Sequence, residues 1–206
     1  MNRFLLMLCA GCILLAGCRG GRQVAPKFYL IEYPYGQELV VDERFDTLSI
    51  PIFVSEVSIH PAFSSHEIAI RENSHEIRYF SNHRWTNRPV QSVKHFAEKF
   101  FEEHESFKLV DARVYALQEF LTLDIKINRM EVVLEGKKYF AQLQLEMSIR
   151  KADEIDNAFH HAVSRVEPLP DRNLNLFAST ISTILMDELK EFSQNLLEEL
   201  DKKQGE

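Results

Sequence analysis

The sequence predicts a single α/β domain of the α+β kind: a mixed, mostly antiparallel sheet with two main amphipathic helices packed on one face. Three observations carry this. Leu121, Leu123, Ile125 and Ile127 alternate with polar residues, as do Ala141, Leu143, Leu145, Met147 and Ile149, the pattern of strands with one buried and one wet face. Two stretches, after Pro89 and after Asp171, instead space their apolar residues at three and four, as helices do. The order is strands, helix, strands, helix, and no period of about 20 to 50 residues marks a repeat array.

The elements follow in chain order. Lys27 to Tyr33 is aromatic and β-branched and stops at Pro34, which predicts a strand. Leu48 to Val54 predicts a second, with Pro51 marking an edge or a bulge. Ile68–Arg71 and Glu76–Tyr79 flank Glu72-Asn73-Ser74-His75 as a hairpin, and Ser81 to Arg88 reads as a loop. Pro89 opens a helix, where its missing N–H costs nothing, and Val90, Val93, Phe96, Ala97, Phe100 and Phe101 form its apolar face to about His104. Phe107 to Val110 leads out as a short strand. After Ile127 the apolar alternation moves to Met130, Val132 and Leu134, a one-residue phase change that predicts a β-bulge near Asn128–Arg129. Glu135-Gly136-Lys137 makes a turn, the return strand follows, and Phe159 to Val166 predicts another strand, ended by Pro168 and Pro170. A long helix from about Arg172 to Lys203, with Asp171 as its N-cap, closes the chain.

Composition narrows the function classes. The 206 residues carry a net charge of −7, which argues against a nucleic-acid binder and against a polybasic grip on anionic lipid. The three cysteines are Cys9, Cys12 and Cys18, all near the start.

That start has its own logic. Arg3 precedes an apolar run from Phe4 to Ala16, too short to span a bilayer comfortably, and a small-residue exit follows. This reads as a secretory signal, residues 1–17. Leu15-Ala16-Gly17-Cys18 resembles the lipobox of bacterial lipoproteins. The resemblance implies diacylglycerol on the Cys18 sulfur, cleavage before Cys18 and an acylated N-terminus, which together anchor a protein stably. Arg19, rather than Asp, after the cysteine implies the inner leaflet of the outer membrane, with the inner membrane as the alternative. With Cys9 and Cys12 lost, the mature chain has no disulfide and no cysteine metal site. Residues 18–26 form the lipidated cysteine and a linker, Arg19 to Pro26 reaching roughly 26 Å at about 3.3 Å per residue. Residues 27–206 form the domain.

The search for chemistry returns little. His160-His161 are adjacent, so in a strand they face opposite ways and make a poor chelate. No HExxH, GxSxG or Gly-rich phosphate loop is present. Glu102-Glu103 and Glu198-Glu199 read as solvated helix faces. The cluster His83-Arg84-Trp85 stands out. Trp85, the only tryptophan, reads first as a core anchor between hairpin and helix, its indole N–H bonded to a backbone carbonyl, and second as an aromatic contact for a partner. The expectation is a non-enzymatic protein without a cofactor other than the covalent lipid.

The lipobox, Lys27-Phe28-Tyr29-Leu30, Ile68–Arg71, the hairpin into Tyr79 and His83-Arg84-Trp85, and the helices after Pro89 and Asp171 together resemble the ABC-type transport auxiliary lipoproteins. That family includes the lipoprotein of the paraquat-inducible MCE system. The most specific stretch runs from Ile68 to Pro89, with Arg71, Tyr79, His83, Arg84 and Trp85 in order as a structural or docking motif. The resemblance implies a lipoprotein that docks an MCE-domain protein of an ABC transporter moving lipids or hydrophobic compounds, and a possible homo-oligomer. Gly36 to Asp46, His60 to His66 and the charged tail after Leu200 depart from the pattern. A lipoprotein that activates cell-wall or secretion machinery is the competing reading. A domain that itself carried lipid would need an apolar cavity of roughly 300 Å³ or more.

Overall fold

The structure, a computed structural model, describes residues 24–34, 49–111, 119–151 and 159–204. The signal, Cys18, most of the linker and the stretch Gly36 to Asp46 lie outside the described residues. Among the described residues nine strands form one mixed sheet: β1 (Lys27–Tyr29), β2 (Ile50–Val54), β3 (Ser58–Ile59), β4 (Glu67–Asn73), β5 (Glu76–Trp85), β6 (Phe107–Leu109), β7 (Leu121–Glu135), β8 (Lys138–Lys151) and β9 (Phe159–Leu169). Two helices, α1 (Pro89–Glu103) and α2 (Leu174–Gln204), cover one face.

The sheet is organised around β7. One of its edges pairs antiparallel with β8, which pairs antiparallel with β9. Its other edge takes three short parallel strands in succession: β2 at Leu121–Leu123, β3 at Lys126–Ile127 and β4 at Glu131–Val133. The chain from Ile52 to Arg71 thus follows β7 as an interrupted strand. It leaves the ladder through a 3-10 turn at Pro61–Phe63, beside the register shift between Ile127 and Arg129. That shift is the bulge the phase change foretold. It keeps Leu121, Leu123, Ile125 and Ile127 on the same buried face as Met130 and Val132.

Against that face pack Val93, Phe96, Ala97, Phe100 and Phe101 of α1, and Phe177, Ile181, Leu185, Leu189 and Phe192 of α2. Each is nearly inaccessible to solvent. At Ala97, Leu145 and Leu189 the space left between helices and sheet is about 10 Å³, less than one water occupies.

Several boundaries differ from expectation. β1 ends at Tyr29, because Ile31 and Tyr33 leave the sheet to pack into the helix layer, where Tyr33 meets Phe96 edge-on at 5.2 Å. Pro51 marks neither an edge nor a bulge, since β2 lies between β6 and β7. Ile50 N donates to Ser106 O and Ile52 O accepts from Val110 N, so both neighbours serve β6. Pro51 is turned toward β7 just before that pairing begins at Ile52, where no N–H is needed. β9 runs through Pro168 to Leu169, and Pro170 ends it. The stretch Ser81–Trp85 is strand rather than loop, with the irregularity described below. The N-cap of α2 is Asn173, not Asp171: its Oδ1 accepts from Asn175 N and Leu176 N.

Candidate functional site

The stretch from Arg71 to Trp85 divides into two places. Arg71 and Tyr79 lie on the sheet face away from the helices. Arg71 Nε donates to Glu131 Oε1 at 2.8 Å and its guanidinium also donates to Ser74 O. Tyr79 Oη donates to Ala62 O at 2.9 Å, tying the 3-10 turn down over buried Phe63. These two residues hold the hairpin and the detour to β7, which is structural work.

His83, Arg84 and Trp85 lie at the opposite end of β5, beside edge strand β1. Glu67 is opposite Arg84 and Ala69 is opposite Tyr79, so two steps along β4 face five along β5. β5 therefore bulges between Phe80 and His83 while still pairing with β1 at His83–Trp85. The polar composition of this stretch, which reads as a loop in the sequence, here belongs to a bulged strand.

The bulge builds an aromatic cluster. His83 stacks on Tyr29 at 5.7 Å and meets Phe80 edge-on, and the Arg172 guanidinium lies 4.8 Å over the Phe80 ring. Tyr29 Oη and His83 Nδ1 are 2.7 Å apart. Burial raises the Tyr29 pKa above its ordinary value. Partial burial, then the charges of Lys27 and Arg172, hold His83 below the ordinary histidine value. Both shifts favour the neutral pair. Trp85 is 3% exposed, packs on Phe177 at 5.6 Å and donates its backbone N–H to His66 O at 2.7 Å. It is the core anchor of the two readings. The expected bond from its indole N–H to a backbone carbonyl is not found among the described residues. Arg84 is exposed on the strand's other side.

Next to this cluster opens a groove of about 780 Å³ between α2 and the chain leaving β1. Tyr29, Leu30, Glu32, Thr86, Ser179 and Asp187 are among its walls. Two contacts fix it: Glu32 N donates to Ser182 Oγ at 3.0 Å, and Tyr33 Oη donates to Glu103 Oε2 at 2.9 Å. Glu103 is therefore more than a solvated carboxylate. At the rim, Phe28 is 61% and Leu30 51% exposed. Sequence reading missed this groove because its walls lie about 150 residues apart. The available signal was Ser179, Ser182 and Thr183, small polar residues interrupting the apolar pattern of α2.

The groove thus combines polar walls with an apolar rim. Among the described residues no group of His, Cys, Asp and Glu is placed to hold a metal ion. His161 turns inward to Glu188 while His160 is exposed, the opposed arrangement expected of adjacent strand residues. Among the described residues no helix is long and apolar enough to cross a membrane.

No family model and no curated protein matches the chain. Solved structures do. The crystal structure of protein XCC0632 from Xanthomonas campestris, of family DUF330, superposes with a TM-score of 0.71 at 12% identity, over 87% of this chain and all (100%) of that one. A second crystal structure, of an uncharacterised protein, gives a TM-score of 0.66 at 7% identity, over 84% of this chain and 99% of that one. At these identities the likeness establishes the shared fold.

Proposed function

We propose that this chain is a lipid-anchored envelope lipoprotein without enzymatic activity, and that it docks another protein component of an ABC/MCE-type transport system at the outer membrane. One observation carries the reading: the linker from the lipobox runs directly into edge strand β1, beside which lie the groove and the exposed side chains of Phe28 and Leu30. An anchor on Cys18 would hold this corner of the domain near the headgroups, within the linker's reach. The tight packing of α1 and α2 on the sheet around Ala97, Leu145 and Leu189 supports a docking role over lipid carriage at that part of the core. The shared fold with the Xanthomonas campestris protein along its whole length is consistent with a conserved scaffold whose role is carried by its surface.

The test is a crosslinked pull-down of the full chain from cell envelope, beside Cys18→Ser. The reading predicts acyl labelling and membrane recovery that Cys18→Ser abolishes, with an MCE-domain protein among the crosslinked partners. Recovery of a cell-wall synthase or secretion component instead would move the assignment to the assembly-factor reading.

A further inference from the structure

Independently of that reading, the far side of the sheet holds a second interaction surface. Among the described residues β9 pairs with β8 alone, so its other edge is unpaired along the 11 residues Phe159–Leu169. Its ladder to β8 carries no register shift. A regular edge of this length is a template for another strand. Helix α2 covers one face of β9 but stops short of its rim. A notch of about 400 Å³ opens between Arg165, Glu167 and Pro168 on the strand and Ser179 and Thr183 on the helix. On the other face Val166 is 48% exposed.

The edge is guarded by charge. His161, Arg165 and Glu167 all lie on the helix side of β9, opposite Met147, Leu143 and Ala141 of the buried β8 face. Inward-pointing charges of this kind repel an arbitrary strand. Arranged correctly, they also select a matching one.

We propose that β9 pairs antiparallel with β9 of a second copy about a two-fold axis at Ser164. Ser164 is the midpoint of Phe159–Leu169, so this register aligns the full 11-residue edge, with Pro168, which has no N–H to donate, opposite the second copy's His160. It sets His161 opposite the second copy's Glu167, Phe159 opposite Leu169, and Ala162 opposite Val166, which covers the exposed valine. Arg165 falls opposite Val163. Moving the axis to Arg165 would oppose two guanidiniums, and moving it to Val163 would shorten the shared edge, so the arginine clash and the strand length choose the same register. The result is one continuous sheet across two copies with both helix layers on the same side, an isologous interface.

Cysteine crosslinking of the full chain reads the register directly, because directly opposed side chains lie within reach of a disulfide and offset ones do not. Under mild oxidation Ser164→Cys crosslinks to itself. Ala162→Cys crosslinks to Val166→Cys in a mixed sample, and neither crosslinks to itself beyond the background of the parent chain. The parent sediments as a dimer. Ser164→Lys, which opposes two ammonium groups on an exposed face, weakens dimerisation severalfold while its circular-dichroism spectrum stays that of the parent chain. Self-crosslinking of Ala162→Cys, a dimer indifferent to Ser164→Lys, or a parent that sediments as a monomer at tens of micromolar would each overturn the proposal.

Discussion

Arg71 Nε lies 2.8 Å from Glu131 Oε1, and the Glu131 side chain has no exposure to solvent. The pair ties the β4–β5 hairpin to the central strand on the face opposite the helices. Glu131 Oε2 finds no hydrogen-bond partner among the described residues, so Arg71 is the carboxylate's chief compensation. Arg71→Ala is expected to destabilise the protein by about 3 kcal/mol in urea unfolding, since it strands a buried charge. Arg71→Met combined with Glu131→Leu removes both charges and recovers most of that loss. Equal damage from the double and the single variant would contradict this role.

Glu188 of α2 is a second such centre, with a weaker outer partner. Its carboxylate, 6% exposed, meets His161 at 3.1 Å and Arg165 at 2.9 Å. Arg165 itself is 40% exposed, so solvent screens its share. Glu188→Ala is expected to cost about 1.5 kcal/mol through the charge-assisted hydrogen bonds lost by half-buried His161 and by Arg165, which keeps Glu167. Arg165→Ala should cost under about 1 kcal/mol. The two variants compared in one denaturation series check the order.

His104 gives the fold a pH dependence. It is buried at the end of α1, stacked near Phe100 and Phe107, and its Nδ1 accepts from Ser106 N at 3.3 Å. Burial lowers its pKa from 6.5 to about 4. As pH falls below 6.5 the unfolded chain takes up a proton that the folded chain refuses until about 4. Stability is therefore complete above that window, falls through it by on the order of 3 kcal/mol, and levels below it. His104→Asn keeps an acceptor near Ser106 N and should flatten the slope between pH 6.5 and 4 in pH-dependent unfolding.

The start of α2 separates two candidate caps. Asn173→Ala is expected to cost about 1 kcal/mol, and Asp171→Ala a few tenths at most. The reverse order in thermal unfolding would restore Asp171 as the cap.

Much of this architecture was legible because it is written in periodicity. The phase change after Ile127 located the bulge within a residue, since a slip would have turned Met130 and Val132 out of the core. The heptad-like spacing of Phe96, Phe100 and Phe101 fixed the buried face of α1 for the same reason. What periodicity does not carry is partner choice. Nothing local in β2, β3 and β4 says that all three run parallel along one edge of β7. The β5 bulge looked like a loop because Ser81, Asn82 and His83 have loop composition, while the pairing of His83–Trp85 to β1 depends on residues more than fifty positions away. The groove escaped for that reason too: Glu32 and Ser182 meet only once the chain is folded.

The most direct test of the docking account places a photo-crosslinking residue at Asn175, in the groove, and another at Lys126, on the exposed far face of the sheet, in the full chain in living cells. The account predicts adducts to an MCE-domain protein from position 175 and none from position 126. Adducts to an MCE-domain protein from position 126 alone, or groove adducts to cell-wall or secretion proteins, would contradict it.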